Sequence, residues 1–167
     1  MPTTYEPIAT TTLGSAAASI TFSSIPATYT DLVVVLTVNT TSVDGRIVRC
    51  TFNSDTGANY SATRVQGNGS VTASSVSTGQ ANIPLTLSAT TSTTIPTFYK
   101  WNVFSYAGST YKTVLAEANA DKNGSGVVDR TVGLWRNTAA ITATNITPSS
   151  GNFNTGTTAT LYGIKNA

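Results

Sequence analysis

The sequence predicts an all-β fold, an antiparallel two-sheet sandwich of about eight to ten strands wound as a jelly roll. Three observations lead there. The 33 threonines and 18 serines make up almost a third of the 167 residues; threonine suits strands, and serine and asparagine suit turns. Short runs of apolar residues, bounded by Gly, Asn, Asp and Ser, recur about every 10 to 18 residues. No long stretch holds apolar residues at i, i+3, i+4 and i+7, and the alanine cluster at 15–19 is too short to stand as a helix. A chain of this length fits one domain able to bury roughly two-thirds of its extended surface.

Residues 1–18 read as an N-terminal arm and lead-in, and residues 19–167 as a single sandwich domain. The first strand is expected at 19–22. In 31–39, Leu32, Val34, Leu36 and Val38 share one face while Val33, Val35 and Thr37 share the other, the pattern of a central strand covered on both sides. In 46–52, Val48, Cys50 and Phe52 alternate with Arg49 and Thr51, which predicts one wet face. Runs at 61–66, 82–87, 98–106, 112–119, 130–136, 141–147 and 157–164 complete the set. The nearly low-complexity stretches 69–80 and 89–97 read as long exposed loops, with Pro84 and Pro96 at strand edges or entries.

Absences bound the chemistry. With no histidine and one cysteine, the chain lacks the means for Ser-His-Asp or Cys-His catalysis, histidine-bound zinc or an internal disulfide. Cys50 reads as a small core residue, because Arg49, its one basic neighbour, points to the other face. Nine basic against seven acidic residues give a net charge of +2, and the basic residues are scattered from Arg46 to Lys165, so no nucleic-acid partner is expected. The first residues form neither a basic nor an apolar leader, and the longest aliphatic run, 32–36, is far short of the ~20 residues that span a bilayer. A soluble cytoplasmic product with no membrane partner is the expectation. Asn-x-Ser/Thr sequons at Asn39, Asn59, Asn68, Asn123 and Asn145 match the frequency that chance gives in so hydroxyl-rich a chain.

Three candidate chemistries remain. Asp121, Asn123, Ser125 and Asp129 stand at positions 1, 3, 5 and 9 of a calcium-type loop with Gly126 at position 6, but Val132 replaces the bidentate glutamate of position 12 and the flanks read as strands. A hairpin loop explains the same residues. Among the carboxylates, Glu117 is the one inside a strand, on a solvent face with Thr113 and Leu115; no second carboxylate is tied to it by spacing, so no enzyme activity is expected. Aromatic residues crowd 98–106, with Trp101 and Val103 on one face and Phe98, Phe104 and Tyr106 on the other. Core plus subunit contact is the reading, and Tyr5, Tyr99, Trp101 and Tyr106 are the interface candidates.

Five stretches carry a resemblance. They are TFSSIPATYTDL at 21–32, FNSDTGANYS at 52–61, YAGST at 106–110, GLWRNTAAI at 133–141 and LYGI at 161–164. Together they resemble small virion-associated proteins of tailed bacteriophages, of the cyanophage and marine-phage type, across about residues 8–165. The resemblance implies a jelly-roll part of a virion, made in the host cytoplasm, without cofactors. It carries no functional residues across. The expected role is capsid decoration, a cement protein bound to the major capsid protein or other virion proteins. It would assemble as a homotrimer and attach through the flexible arm 1–12. A short chain that begins at its own methionine and lacks a coiled-coil or β-helical shaft favours that role. The alternative is a tail fibre or tip domain whose loops 69–80 and 89–97 present Ser, Thr and Asn to host-surface glycans.

Overall fold

The structure, a computed structural model, describes residues 4–38, 47–86, 95–121 and 123–165. In chain order its strands are β1 (Tyr5–Thr12), β2 (Ile20–Phe22), β3 (Asp31–Val38), β4 (Val48–Phe52), β5 (Tyr60–Gly67) and β6 (Thr72–Gln80). The second half supplies β7 (Ile83–Pro84), β8 (Thr97–Phe104), β9 (Lys112–Asp121), β10 (Gly126–Trp135), β11 (Thr144–Pro148) and β12 (Thr158–Ile164). All pairings are antiparallel. An eight-stranded sheet runs β1-β12-β3-β8-β9-β10-β5-β6, and a four-stranded sheet runs β2-β11-β4-β7.

That order is a jelly roll with two insertions. With β5, β6, β9 and β10 set aside, the remaining eight strands, counted along the chain, form sheets 1-8-3-6 and 2-7-4-5. Chain halves thus pair first with last, as two nested Greek keys require. The hairpins β5–β6 and β9–β10 leave this body and pair with each other, so the large sheet continues four strands past β8. The small sheet follows it only as far as the contacts of its edge strand β7 with β10 and β5, and the end that carries β6 overhangs.

The core lies between the sheets and follows the period of two. Leu32, Val34, Leu36 and Val38 of β3, Tyr99, Trp101 and Val103 of β8, and Val48, Cys50 and Phe52 of β4 are all buried. Each large side chain so placed contributes roughly 1.5–3 kcal/mol. On the other face of β3, Val33 is buried while Val35 and Thr37 are half-buried, so the two-sided pattern is met at one of three positions. The Cys50 thiol is fully buried, and burial pushes its pKa up, as a core residue requires.

Four expectations need correction. Residues 5–12 are no free arm: they form β1, paired from Tyr5↔Ile164 to Thr12↔Thr158 with one bulge at Pro7/Ala9. Their alternation is hidden because only Ile8 and Ala9 pack on the core; Thr10–Thr160 and Thr12–Thr158 hydroxyl pairs at 3.1 and 3.0 Å do the rest. Residues 69–80 are not a loop either, since 72–80 form the nine-residue edge strand β6. The strand expected at 82–87 shrinks to two residues, and the one expected at 141–147 starts at Thr144. The 89–97 stretch lies outside the described residues up to 94, and its last residue, Thr97, opens β8.

Candidate functional site

The stretches that carry the resemblance meet as strand ends and the turns between them. After β4, Asn53 and Ser54 take positive φ (50° and 57°), and the Asn53 amide clasps the segment before β11. Its Oδ1 accepts from the backbone N–H of Thr142 (2.8 Å) and Ala143 (3.1 Å), and its Nδ2 donates to the Ala140 carbonyl (2.8 Å). The Asp55 carboxylate accepts from Trp135 Nε1 (2.7 Å), the Gly57 N–H (2.9 Å) and Asn59 Nδ2 (3.0 Å). These donors, led by Trp135, hold its carboxyl below the usual carboxylate range. Tyr60 stacks on Trp135 and accepts from the Phe52 N–H while donating to the Asp55 carbonyl.

The other stretches meet beside it. Ser105 has φ 47°, and this left-handed residue ends β8 so that the next side chain, Tyr106, turns back into the core. The Tyr106 hydroxyl donates to the Pro26 carbonyl and accepts from the Tyr29 N–H (3.3 Å), while Asp31 Oδ1 accepts from the Ser105 N–H (2.7 Å). The Tyr29 ring lies on Gly163: a Cβ there would stand 2.3 Å from Tyr29 Cγ. The buried Lys112 points its ammonium at three backbone carbonyls, those of Gly108 (2.6 Å), Thr110 and Thr138 (3.3 Å). An Ile141 N–H to Tyr106 carbonyl bond (2.9 Å) joins the two clusters. All of this chemistry fixes turns.

The sequence-derived site residues are distributed as follows. Asp121, Asn123 and Ser125 sit at the β9–β10 hairpin, where Asp121 pairs with Gly126 and the turn uses positive φ at Asn123 (58°) and Gly124 (99°). Asp129 is not gathered with them; it is buried inside β10, opposite Ala118 and Gln66. No group of three metal-ligating residues occurs among the described residues. Tyr99, Trp101 and Tyr106 are fully buried core residues and not interface side chains. Tyr106 also leaves the face assigned to it beside Phe98, for the reason given at Ser105. Tyr5 is the one exposed member of the four, on edge strand β1, with its ring edge-on to Tyr162.

Two surfaces went unread in the sequence. The outer face of β8, β9, β10, β5 and β6 exposes Phe98, Phe104, Leu115, Val128, Val132 and Val76, and Leu115 lies directly opposite Val132. Glu117 sits at its centre, 3.0 Å from Arg130 and 3.9 Å from Lys100. The second surface is a cleft of about 290 Å³ where the overhang passes the edge of the small sheet. It is lined by Arg49, Arg64, Ser77, Gln80, Asn82 and Pro84, among others. Arg64 Nη1 donates to the Thr86 carbonyl (3.2 Å) and Nη2 to Ser75 Oγ (2.8 Å), while its Nε and the Ser77 hydroxyl are buried without a hydrogen-bond partner.

Against family models, curated proteins and solved structures, the chain matches none.

Proposed function

We propose that the chain is a non-enzymatic structural protein of a tailed-bacteriophage virion, a decoration protein seated as a homotrimer on the outer surface of the head. The observation that carries this reading is the outer sheet face: a broad, uncovered apolar surface on a rigid jelly roll suits contact with a regular protein shell. The use of Asn53, Asp55, Tyr60, Tyr106 and Trp135 from the resembling stretches to fix turns and core supports a structural part. Glu117 is engaged by two cations on that face, which supports an assembly role over acid–base work. With residues 5–12 built into the sheet, the seat on the shell passes from a free arm to the apolar face.

A second reading, a tail fibre or tip domain that binds host-surface glycans, is favoured by the polar cleft lined by Arg49 and Arg64. Cryo-electron microscopy of the intact particle separates the two. On the order of hundreds of copies at regular head positions establish decoration. Density confined to the tail overturns it in favour of the fibre reading, and absence from the particle overturns both.

A further inference from the structure

The inner face of the overhang differs from the rest of the interior. Between the sheets of the body that face carries Val, Leu and Trp; on β5 and its neighbours it carries Arg64, opposite Thr131 and Ser75. Four side-chain atoms there, Arg64 Nε, Ser77 Oγ, Thr86 Oγ1 and Thr131 Oγ1, are buried with no hydrogen-bond partner. An unmet buried polar group costs about 1–3 kcal/mol, and a group of them is hard to retain unless something is bound there. Two of the four atoms, Arg64 Nε and Ser77 Oγ, belong to residues that line the cleft.

The cleft also has a definite sign. Among the described residues, two guanidinium groups line it and no carboxylate does. Asp129, opposite Gln66, is not part of its wall. Arg64 is anchored through one N–H of each terminal nitrogen, which leaves the buried Nε–H and the second N–H of each terminal nitrogen as further donors. Arg49 comes from β4 of the other sheet, opposite Pro84, a residue with no N–H to offer. Gln80 and Asn82 add neutral amides at the rim.

We propose that this cleft binds an oxyanion, with Arg49 and Arg64 as its charged partners and Ser77 as a hydroxyl donor. Arginine donors, one fixed in place and one on the facing sheet, match the several lone pairs of a carboxylate, sulfate or phosphate. The volume admits one such group with a single sugar ring attached. Two sources share that chemistry: an acidic saccharide, whose hydroxyls would meet Gln80 and Asn82, and a free inorganic anion. The site stands whichever part of a particle the chain forms.

The test is an amide NMR titration of the full chain with inorganic sulfate, a sulfated disaccharide and the same disaccharide unsulfated. Saturable shifts centred on Arg49, Arg64, Ser77 and Asn82 are expected with the first two probes and not with the third. Arg49→Gln is the clean variant, because the Arg49 side chain is not tied into the fold as Arg64 is, and it should weaken binding about tenfold or more. Arg64→Gln tests the anchored partner, with the spectrum reporting whether the fold survives. A sulfated disaccharide that binds at least about tenfold tighter than sulfate identifies the saccharide as the source; equal affinities identify the free anion. No saturable shift with either anion at millimolar concentration, or Arg49→Gln binding as tightly as the parent, overturns the proposal.

Discussion

The body and the overhang are built from the same strand chemistry and held by different forces. In the body each strand has a partner sheet across the core, so Trp101, Leu36, Phe52 and Leu161 are buried and packing carries the stability. In the overhang the strands extend beyond the small sheet. No residue of β6 is buried, and the strand is held by its backbone ladder to β5. Its inner face turns polar where the apolar layer stops. A jelly roll can therefore carry its stability in one half and display chemically unsatisfied groups in the other, and the proposed anion cleft lies where the two meet.

The largest effect should come from breaking the body. Trp101→Ala removes a fully buried indole between β3 and β9 and should cost about 3–5 kcal/mol. Urea unfolding followed by circular dichroism measures it. A near-neutral result would mean that the two sheets do not pack as described. Next comes the junction. Gly133 of β10 lies under Ile83 of β7, and a Cβ there would stand 2.6 Å from Ile83 Cγ2. Gly133→Ala should therefore destabilise by about 1–3 kcal/mol, because a strand glycine here permits the close approach of the small sheet. Ile83→Ala in the same chain should return part of that loss, and purely additive costs would show that the two do not meet.

The comparison also explains what could be read in the sequence. β3, β4, β8, β9, β10 and β12 were legible because each buries alternate side chains, and burial is what periodicity records. β1 and β6 were not: an edge strand of Thr, Ser and Ala buries too little to write a period, and its pairing is decided by the neighbouring strand. Tyr106 misled through Ser105, whose left-handed backbone resets the alternation without a glycine or proline to announce it. The cleft was illegible because Arg49 and Arg64 are fifteen residues apart on different sheets, and only the overhang brings them to one wall. The outer apolar face escaped for a related reason. Leu115, Val132 and Val76 read as ordinary strand residues until the register sets them on one surface.

The turn cluster is intermediate in size and sharpens the comparison by pH. Asp55→Asn keeps the shape but loses a charge-assisted bond to Trp135, at a cost of about 1–2 kcal/mol near neutral pH. Because the native carboxyl is held below its unfolded value near 4, its contribution is full above about pH 4 and is lost as pH falls through the lowered native value. Thermal unfolding from pH 7 downward should show the parent losing stability on the acid side more steeply than the variant. Parallel profiles would remove the carboxylate from the cluster's energetics.

The smallest effects belong to the outer face of the overhang. Glu117→Gln breaks exposed ion pairs with Arg130 and Lys100 and should cost about 0.2–1 kcal/mol, less in high salt. Val76→Thr, at a side chain 74% exposed on β6, should change stability by no more than about 0.5 kcal/mol. If the outer face is the seat on a shell, the same two substitutions should weaken particle binding well beyond these small stability changes, because an apolar side chain and a central charge matter most once water is excluded from them. A binding assay on particles stripped of the protein reads that difference directly. Undiminished binding by both variants would move the contact off this face.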